Sequence, residues 1–322
     1  MGQHRQGPHP VSEAEAANAV PAARLRLPPL LVAMRPYQWP KNVIVFAALI
    51  FSAGDAWHPD DLETLWPLLW RTGAIFGLWS LVASATYLVN DVRDRENDRL
   101  HPRKRRRPIA SGQVSTGLAL ATAAVLAAAA LPLSFLVDTT AGIILAGYAV
   151  VMVGYNFGLK SVAILDIIIL TGGVVARAAA GATAIDVDIS PWLYVCSSFG
   201  ALFFATSKRW AEFRQLGSDA ALHRPALAGY TSDLLGQMLT ITAGGALLSY
   251  ALYTIESDRV PTNAAMALTL PFVAFGLFRY LLLITGARQS EAPDRILFTD
   301  PQILLAVAGF VVTALVVLVS NS

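Results

Sequence analysis

The stretch Leu88-Val89-Asn90-Asp91-Val92-Arg93-Asp94-Arg95-Glu96-Asn97-Asp98-Arg99-Leu100-His101-Pro102 decides the fold, because in it an apolar run passes into carboxylates with no Gly or Pro between. The apolar residues that lead into it, 73–90, suffice to cross a bilayer that tilts or thins around them, so Asn90 and Asp91 fall at a membrane rim. Outward from this point the texture repeats. Apolar stretches at 29–53, 117–137, 140–157, 162–184, 191–207, 235–255, 264–285 and 302–320 join 73–90 to predict an all-α integral membrane bundle of about nine transmembrane helices. Composition agrees. Of 322 residues 55% are hydrophobic and 14% charged, whereas a soluble domain is about a quarter charged, which argues against a water-soluble enzyme. A mean hydropathy of +0.53, with 23 Gly and 18 Pro, suits packed membrane helices. The formal net charge of +2 supplies no broad basic face, so no nucleic-acid partner is expected. The lone cysteine, Cys196, offers neither an intrachain disulfide nor a thiolate cage.

Residues 1–28, rich in Pro, Ala, Gly, Gln and His and without an apolar signal segment, are expected to be a disordered cytoplasmic tail; residues 29–322 are expected to form the transmembrane domain. Positive charge fixes the expected orientation. One set of alternate loops carries Arg5, Arg24, Arg26, Arg35 and Lys41, then Arg93 through Arg107, then Lys160, then Lys208, Arg209, Arg214 and Arg224, then Arg288 and Arg295. The other set holds only Arg71 and Arg259 among nine acids that include Asp55, Asp138 and Asp186. The amino terminus is therefore expected on the cytoplasmic side. This register depends on a break between the third and fourth spans, marked only by Asp138, Thr139 and Thr140.

At about 100° per helical residue, with Asn90 as zero, Asp94 lies near 40°, Asp98 near 80° and Asp91 near 100°. Three carboxylates and an amide thus share one arc. Carboxylates so close repel one another unless a cation sits among them, and all-oxygen ligands at a membrane rim suit Mg²⁺, which shares its shell with substrate phosphates. The alternative is a solvated helix end whose acids pair with Arg93, Arg95 and Arg99. The position at the rim favours the metal, with Asn90, Asp91, Asp94 and Asp98 as ligands and the three aspartates as catalytic residues. The implied ligand is a magnesium diphosphate.

Cations follow at once. Arg103-Lys104-Arg105-Arg106-Arg107 serves as a positive-inside anchor on anionic lipid, and some of its members are placed to meet the same anionic ligand. Lys41, Lys160, Lys208 and Arg209 stand at the same ends of other spans; each alone reads as a snorkelling side chain, but together they ring one vestibule. Phosphate contacts are accordingly assigned to Lys41, Lys104, Arg105, Arg107, Lys160, Lys208 and Arg209. Asp166 and Arg177 lie within the fifth span, about 16 Å apart by helical rise, so each needs a partner on another helix or a wet cavity. These two, with Tyr155 and Glu212, are further candidate contacts. Thr171-Gly172-Gly173 reads as a close-packing site rather than a phosphate loop.

The pattern Asn90-Asp91-x-x-Asp94-x-x-x-Asp98, followed by a Lys/Arg-x-Arg-Pro run, resembles the first aspartate motif of the UbiA superfamily of intramembrane prenyltransferases. The similarity spans essentially the whole chain after residue 28. Arg35-Pro36-Tyr37-Gln38-Trp39-Pro40-Lys41-Asn42, Tyr87-Leu88-Val89-Asn90-Asp91, His101-Pro102-Arg103-Lys104 and Lys208-Arg209-Trp210-Ala211-Glu212 look closer to its phosphoribosyltransferase branch. Aromatic prenyltransferases of the superfamily carry a second Asp-rich motif where Thr206–Glu212 here offers two cations and one acid, which argues against a second metal. The resemblance implies a UbiA-like bundle in the plasma (inner) membrane, crossing it many times, with a Mg²⁺-dependent site facing the cytoplasm. It implies phosphoribosyl pyrophosphate as donor and a polyprenyl (decaprenyl) phosphate, held in membrane lipid, as acceptor. The product would be diphosphate and a lipid-linked pentose for cell-wall arabinan. No general base is implied, because a lipid phosphate is already an anionic nucleophile. Prenyl transfer to an aromatic or other small acceptor, and transport of a phosphorylated lipid, are the competing readings; whether the protein is a homo-oligomer is left open by the sequence.

Overall fold

The computed structural model describes residues 27–54, 56–58, 60–102, 104–188, 191–217, 225–257, 264–286 and 293–320. The expected tail lies outside the described residues up to position 26, as do Arg103, Arg224, Arg259 and Arg288. Among the described residues every regular element is helical. In chain order these are α1 (Pro29–Met34), a 3₁₀ segment (Pro36–Phe46), α2 (Ala47–Phe51), α3 (Leu62–Arg93), α4 (Arg95–Leu100), α5 (Thr116–Val137) and α6 (Thr139–Phe157). They are followed by α7 (Leu165–Ala184), α8 (Pro191–Leu216), α9 (Ser232–Glu256), α10 (Leu270–Thr285), α11 (Pro293–Thr299) and α12 (Pro301–Ser320), with short 3₁₀ turns between.

Seven helices among the described residues are long and apolar enough to cross a membrane. They are α3, α5, α6, α7, α9, α10 with its leading turn, and α12. Two of the nine expected spans differ. The first, 29–53, is not one helix. Arg35 takes a left-handed conformation with φ 57°, and Pro36 and Pro40 lack the donors an α-helix needs, so the chain tightens into eleven residues of 3₁₀ helix. Trp39 Nε1 and Asn42 Nδ2 then donate to Ser84 Oγ and Ser80 Oγ of α3, at 3.0 and 2.9 Å, and hold the segment against that helix. The sixth, α8, is 26 residues long but falls outside the seven because Ser197, Ser198, Thr206 and Ser207 dilute its apolar run.

Asp138 ends α5 and caps α6, its side chain accepting from Ala141 N at 2.7 Å, so the break between the third and fourth spans stands where the sequence placed it. The buried core joins Val45, Ile75, Trp79, Val82, Ala130, Leu145 and Ala180 across α3, α5, α6, α7 and the 3₁₀ segment. Small residues let these backbones meet. At Gly181 a Cβ would lie 1.9 Å from Val45 O, so only glycine allows α7 to lie against the 3₁₀ segment. The outer surface is apolar too. Leu136, Leu305 and Val150 are 82%, 74% and 72% exposed, and a chain with such a belt is built to be embedded in lipid.

Candidate active site

The carboxylates of the deciding stretch stand where α3 hands over to α4. Asp94 is the hinge between the two helices, its N–H donating to Asn90 O at 2.8 Å. The arc predicted from the helical wheel exists, but its two flanks hold different cations. On one flank Lys160 Nζ donates to both oxygens of Asp94, at 2.7 and 2.8 Å, and to Asn90 Oδ1 at 3.3 Å. On the other, Arg35 reaches Asp91 at 2.5 Å, and Arg107 bridges Asp91 at 3.1 Å and Asp98 at 2.7 Å. Burial pushes the Asp98 carboxyl above its ordinary range, and Arg107 opposes that shift.

Packing delivers these cations. Arg107 arrives on a loop that is anchored because Ile109 and Val114 enter a buried cluster with Ala33, Leu88 and Ala119. Arg99 Nε adds a bond to Ala110 O at 3.1 Å. Lys160 sits in the turn between α6 and α7, entered through Gly158 at φ 155°.

The opposite wall is built by α7 and α8. Asp166 is fully buried and accepts from Arg209 Nε at 2.5 Å and from Tyr230 Oη at 2.8 Å; Arg209 also reaches Glu212 at 2.9 Å. The Tyr230 hydroxyl in turn accepts from Ile164 N at 2.6 Å, and burial raises its pKa far above the tyrosine norm.

Between the walls lies a cavity of about 450 Å³. Eight cationic side chains line it: Arg35, Lys41, Lys104, Arg107, Lys160, Arg177, Lys208 and Arg209. Asp94 is the one acid among its described lining residues. Such a wall attracts a polyanion and repels a cation.

Of the residues singled out in the sequence, the cavity gathers Asn90, Asp94, Lys41, Lys104, Arg107, Tyr155, Lys160, Arg177, Lys208 and Arg209. Arg105 is not among them; it lies exposed in the 104–106 turn. Asp166 and Glu212 stand behind the wall as partners of Arg209. Of the four expected metal ligands, Asn90 and Asp94 line the cavity, whereas Asp91 and Asp98 bond to the guanidinium groups of Arg35 and Arg107; among the described residues no group of three or more His, Cys, Asp or Glu side chains converges on one point. What does converge is Asn90 Oδ1 and the Asp94 carboxylate, hard oxygen donors meeting at a point held by the Lys160 ammonium. The chemistry of that point suits Mg²⁺ bound through one carboxylate and completed by phosphate oxygens. Arg35, Trp39, Asn42, Tyr148 and Tyr230 escaped assignment from sequence. Only Arg35, Trp39 and Asn42 lay in a quoted motif; Tyr148 and Tyr230 carried no signal.

An all-helical membrane bundle with a cation-lined cavity at the ends of its spanning helices is an intramembrane protein suited to an anionic substrate. The chain belongs to the UbiA prenyltransferase family, whose sequence pattern matches residues 43–300. It is 35% identical over 279 residues to the decaprenyl-phosphate phosphoribosyltransferase of Mycolicibacterium smegmatis, covering 84% of this chain and 86% of that one. It is 34% identical over 310 residues to the Corynebacterium glutamicum protein of the same name, covering 92% and 90%. Among solved structures, a UbiA homolog from Archaeoglobus fulgidus bound to GPP and Mg²⁺ superposes with a TM-score of 0.66 at 17% identity, over 90% of this chain and 99% of that one. That likeness shows the fold.

Proposed function

We propose that the protein transfers a 5-phosphoribosyl group from phosphoribosyl pyrophosphate to a polyprenyl phosphate, decaprenyl phosphate in the named relatives, and releases diphosphate. The observation that carries this reading is the cavity wall, with eight cations to one carboxylate. A donor with phosphate at both ends and an acceptor that is itself a phosphate together need such a wall; a neutral aromatic acceptor does not. Residues 29–322 are the catalytic domain in this reading, and 1–28 a cytoplasmic tail. The alternating charge bias supports nine crossings of the plasma membrane, with the first broken stretch and α8 added to the seven apolar helices, and a cavity mouth on the cytoplasmic side.

The donor's diphosphate lies by Asn90, Asp94 and Lys160, where Lys104, Arg107, Lys208 and Arg209 meet its oxygens. As the bond from ribose C1 to the diphosphate breaks, the sugar gains oxocarbenium character and these cations neutralise the charge growing on the leaving group. An oxygen of the lipid phosphate forms the new bond to C1. It arrives as an anion, so no side chain need take a proton. Asp91 and Asp98 hold Arg35 and Arg107 in place, and Asp166 and Glu212 hold Arg209. Asn90 and Asp94 would hold a Mg²⁺ ion, which when bound would further neutralise the leaving group. A UbiA homolog from Archaeoglobus fulgidus is bound to Mg²⁺, which supports the use of a divalent ion but names no ligand.

The test uses purified protein with Mg²⁺, decaprenyl phosphate and phosphoribosyl pyrophosphate labelled in the ribose. Label is expected in the lipid fraction, with one diphosphate released per transfer. Label entering a small aromatic acceptor from a prenyl diphosphate, with none entering lipid from the ribose donor, would replace this reading with prenyl transfer.

A further inference from the structure

We propose that Arg177 is a receptor for a phosphate monoester on the floor of the cavity, separate from the diphosphate site at the mouth. The inference rests on the reading of the cavity as a phosphoribosyl-transfer site, and names where a second phosphate goes.

Arg177 lies on α7, about 16 Å by helical rise from Asp166 and so deep within an apolar span. Among the described residues all its partners are neutral. It donates to Asn42 Oδ1 at 2.7 Å, to Tyr148 Oη at 3.1 Å and to Gly173 O, and its guanidinium stacks over the rings of Trp79 and Tyr148 at 5.3 and 5.0 Å. The contrast with the other cations is plain: Arg35, Arg107, Lys160 and Arg209 each face a carboxylate, whereas Arg177 keeps a full charge inside the membrane with dipoles alone. A cation so placed is costly, and a membrane protein keeps one where function needs it.

The site is also built. Gly173 clears the space, since a Cβ there would lie 3.2 Å from Arg177 NH1 and 3.3 Å from Tyr148. Bonding to the carbonyl four residues back draws the guanidinium one turn towards the mouth, and Arg177, Tyr148, Asn42 and Gly173 all line the same cavity as Asn90 and Asp94. An anion entering the cavity would therefore meet Arg177 with its charge uncompensated. Two sources supply that anion: the 5-phosphate that the ribose donor carries away from its diphosphate, and the phosphate of the lipid acceptor.

The experiment measures KM for phosphoribosyl pyrophosphate and for decaprenyl phosphate separately, in wild type, Arg177→Gln and Arg177→Lys. In parallel it measures how far each of phosphoribosyl pyrophosphate and farnesyl phosphate raises the melting temperature of the detergent-solubilised protein. In Arg177→Gln one KM is expected to rise roughly 10- to 100-fold with the other within threefold, and the matching ligand is expected to lose its thermal protection. The substrate affected identifies the source. Arg177→Lys, which keeps the charge but cannot rebuild the clamp on Asn42, Tyr148 and Gly173, is expected to fall between Gln and wild type. Unchanged KM values and unchanged protection in Arg177→Gln would overturn the proposal. So would equal loss for both ligands in both variants, since that is the mark of a structural arginine. A wild type that is inactive with the ribose donor would instead defeat the transfer reading, and the protection assay, which needs no turnover, would still decide whether Arg177 binds a phosphate monoester.

Discussion

The two carboxylate clusters of this protein differ in build. Where α3 meets α4, Asp94 and Lys160 are 27% and 24% exposed and line the cavity; where α7 meets α8, Asp166 and Arg209 are 0% and 5% exposed, and the carboxylate is sealed behind the wall. A partly exposed pair is easily exchanged, because water and a ligand can replace either partner. A sealed pair is not. The first cluster is therefore suited to trade its ammonium for a substrate-bound cation, and the second to fix one guanidinium at one angle. Aspartates near a membrane rim thus divide into those that bind and those that hold.

The sharpest way to break this comparison is to neutralise one member of each cluster. Asp94→Asn keeps the shape and removes the charge. It is expected to lower kcat/KM by about 10³-fold, the upper range for losing one preorganised electrostatic contact, with membrane insertion and melting temperature unchanged. Retention of full activity would remove Asp94 from the site. Asp166→Ala should do the reverse, costing about 3 kcal/mol of stability because it removes the buried partner of Arg209 Nε and leaves that guanidinium with Glu212 alone. The check is a thermal melt in detergent, where a drop in melting temperature should precede any change in KM measured at low temperature. Tyr230→Phe tests the same seal more gently. It removes one hydrogen bond to Asp166 and one from Ile164 N, and is expected to cost about 1 kcal/mol in the same melt with kcat within threefold.

How much of this was legible depends on the distance between partners. The spans could be read because apolar length is local, and the α5–α6 break because Asp138 bonds only three residues ahead. The early start of α3 at Leu62 was hidden by Pro67 and Arg71, which look like loop residues and are carried inside the helix. The arc of Asn90, Asp91, Asp94 and Asp98 followed from helical angle, but its division into two flanks did not. Arg35 reaches Asp91 across 56 positions, Lys160 reaches Asp94 across 66 and Tyr230 reaches Asp166 across 64. No periodicity reports such pairings. The sequence therefore suggested four oxygen ligands on one arc, without the ammonium and guanidinium partners that the fold brings to them.

The finest division falls inside the basic run itself, between two arginines with the same side chain two positions apart. Arg107 is held inward because the next residues, Pro108 and Ile109, turn the chain into the buried cluster with Leu88, and from there its guanidinium spans Asp91 and Asp98. Arg105, in the middle of the 3₁₀ turn, is exposed and is not among the residues that line the cavity. A guanidinium in water contributes mainly to the attraction of anionic headgroups, about 1 kcal/mol for each charge near the surface. Arg105→Ala is accordingly expected to leave kcat/KM within threefold, with a somewhat shallower loss of activity as salt is raised, whereas Arg107→Ala should lower it by about 100-fold. Equal losses in the two variants, measured at one ionic strength, would mean that the run acts as an undivided cloud of charge and that the inward turn at Pro108 selects nothing.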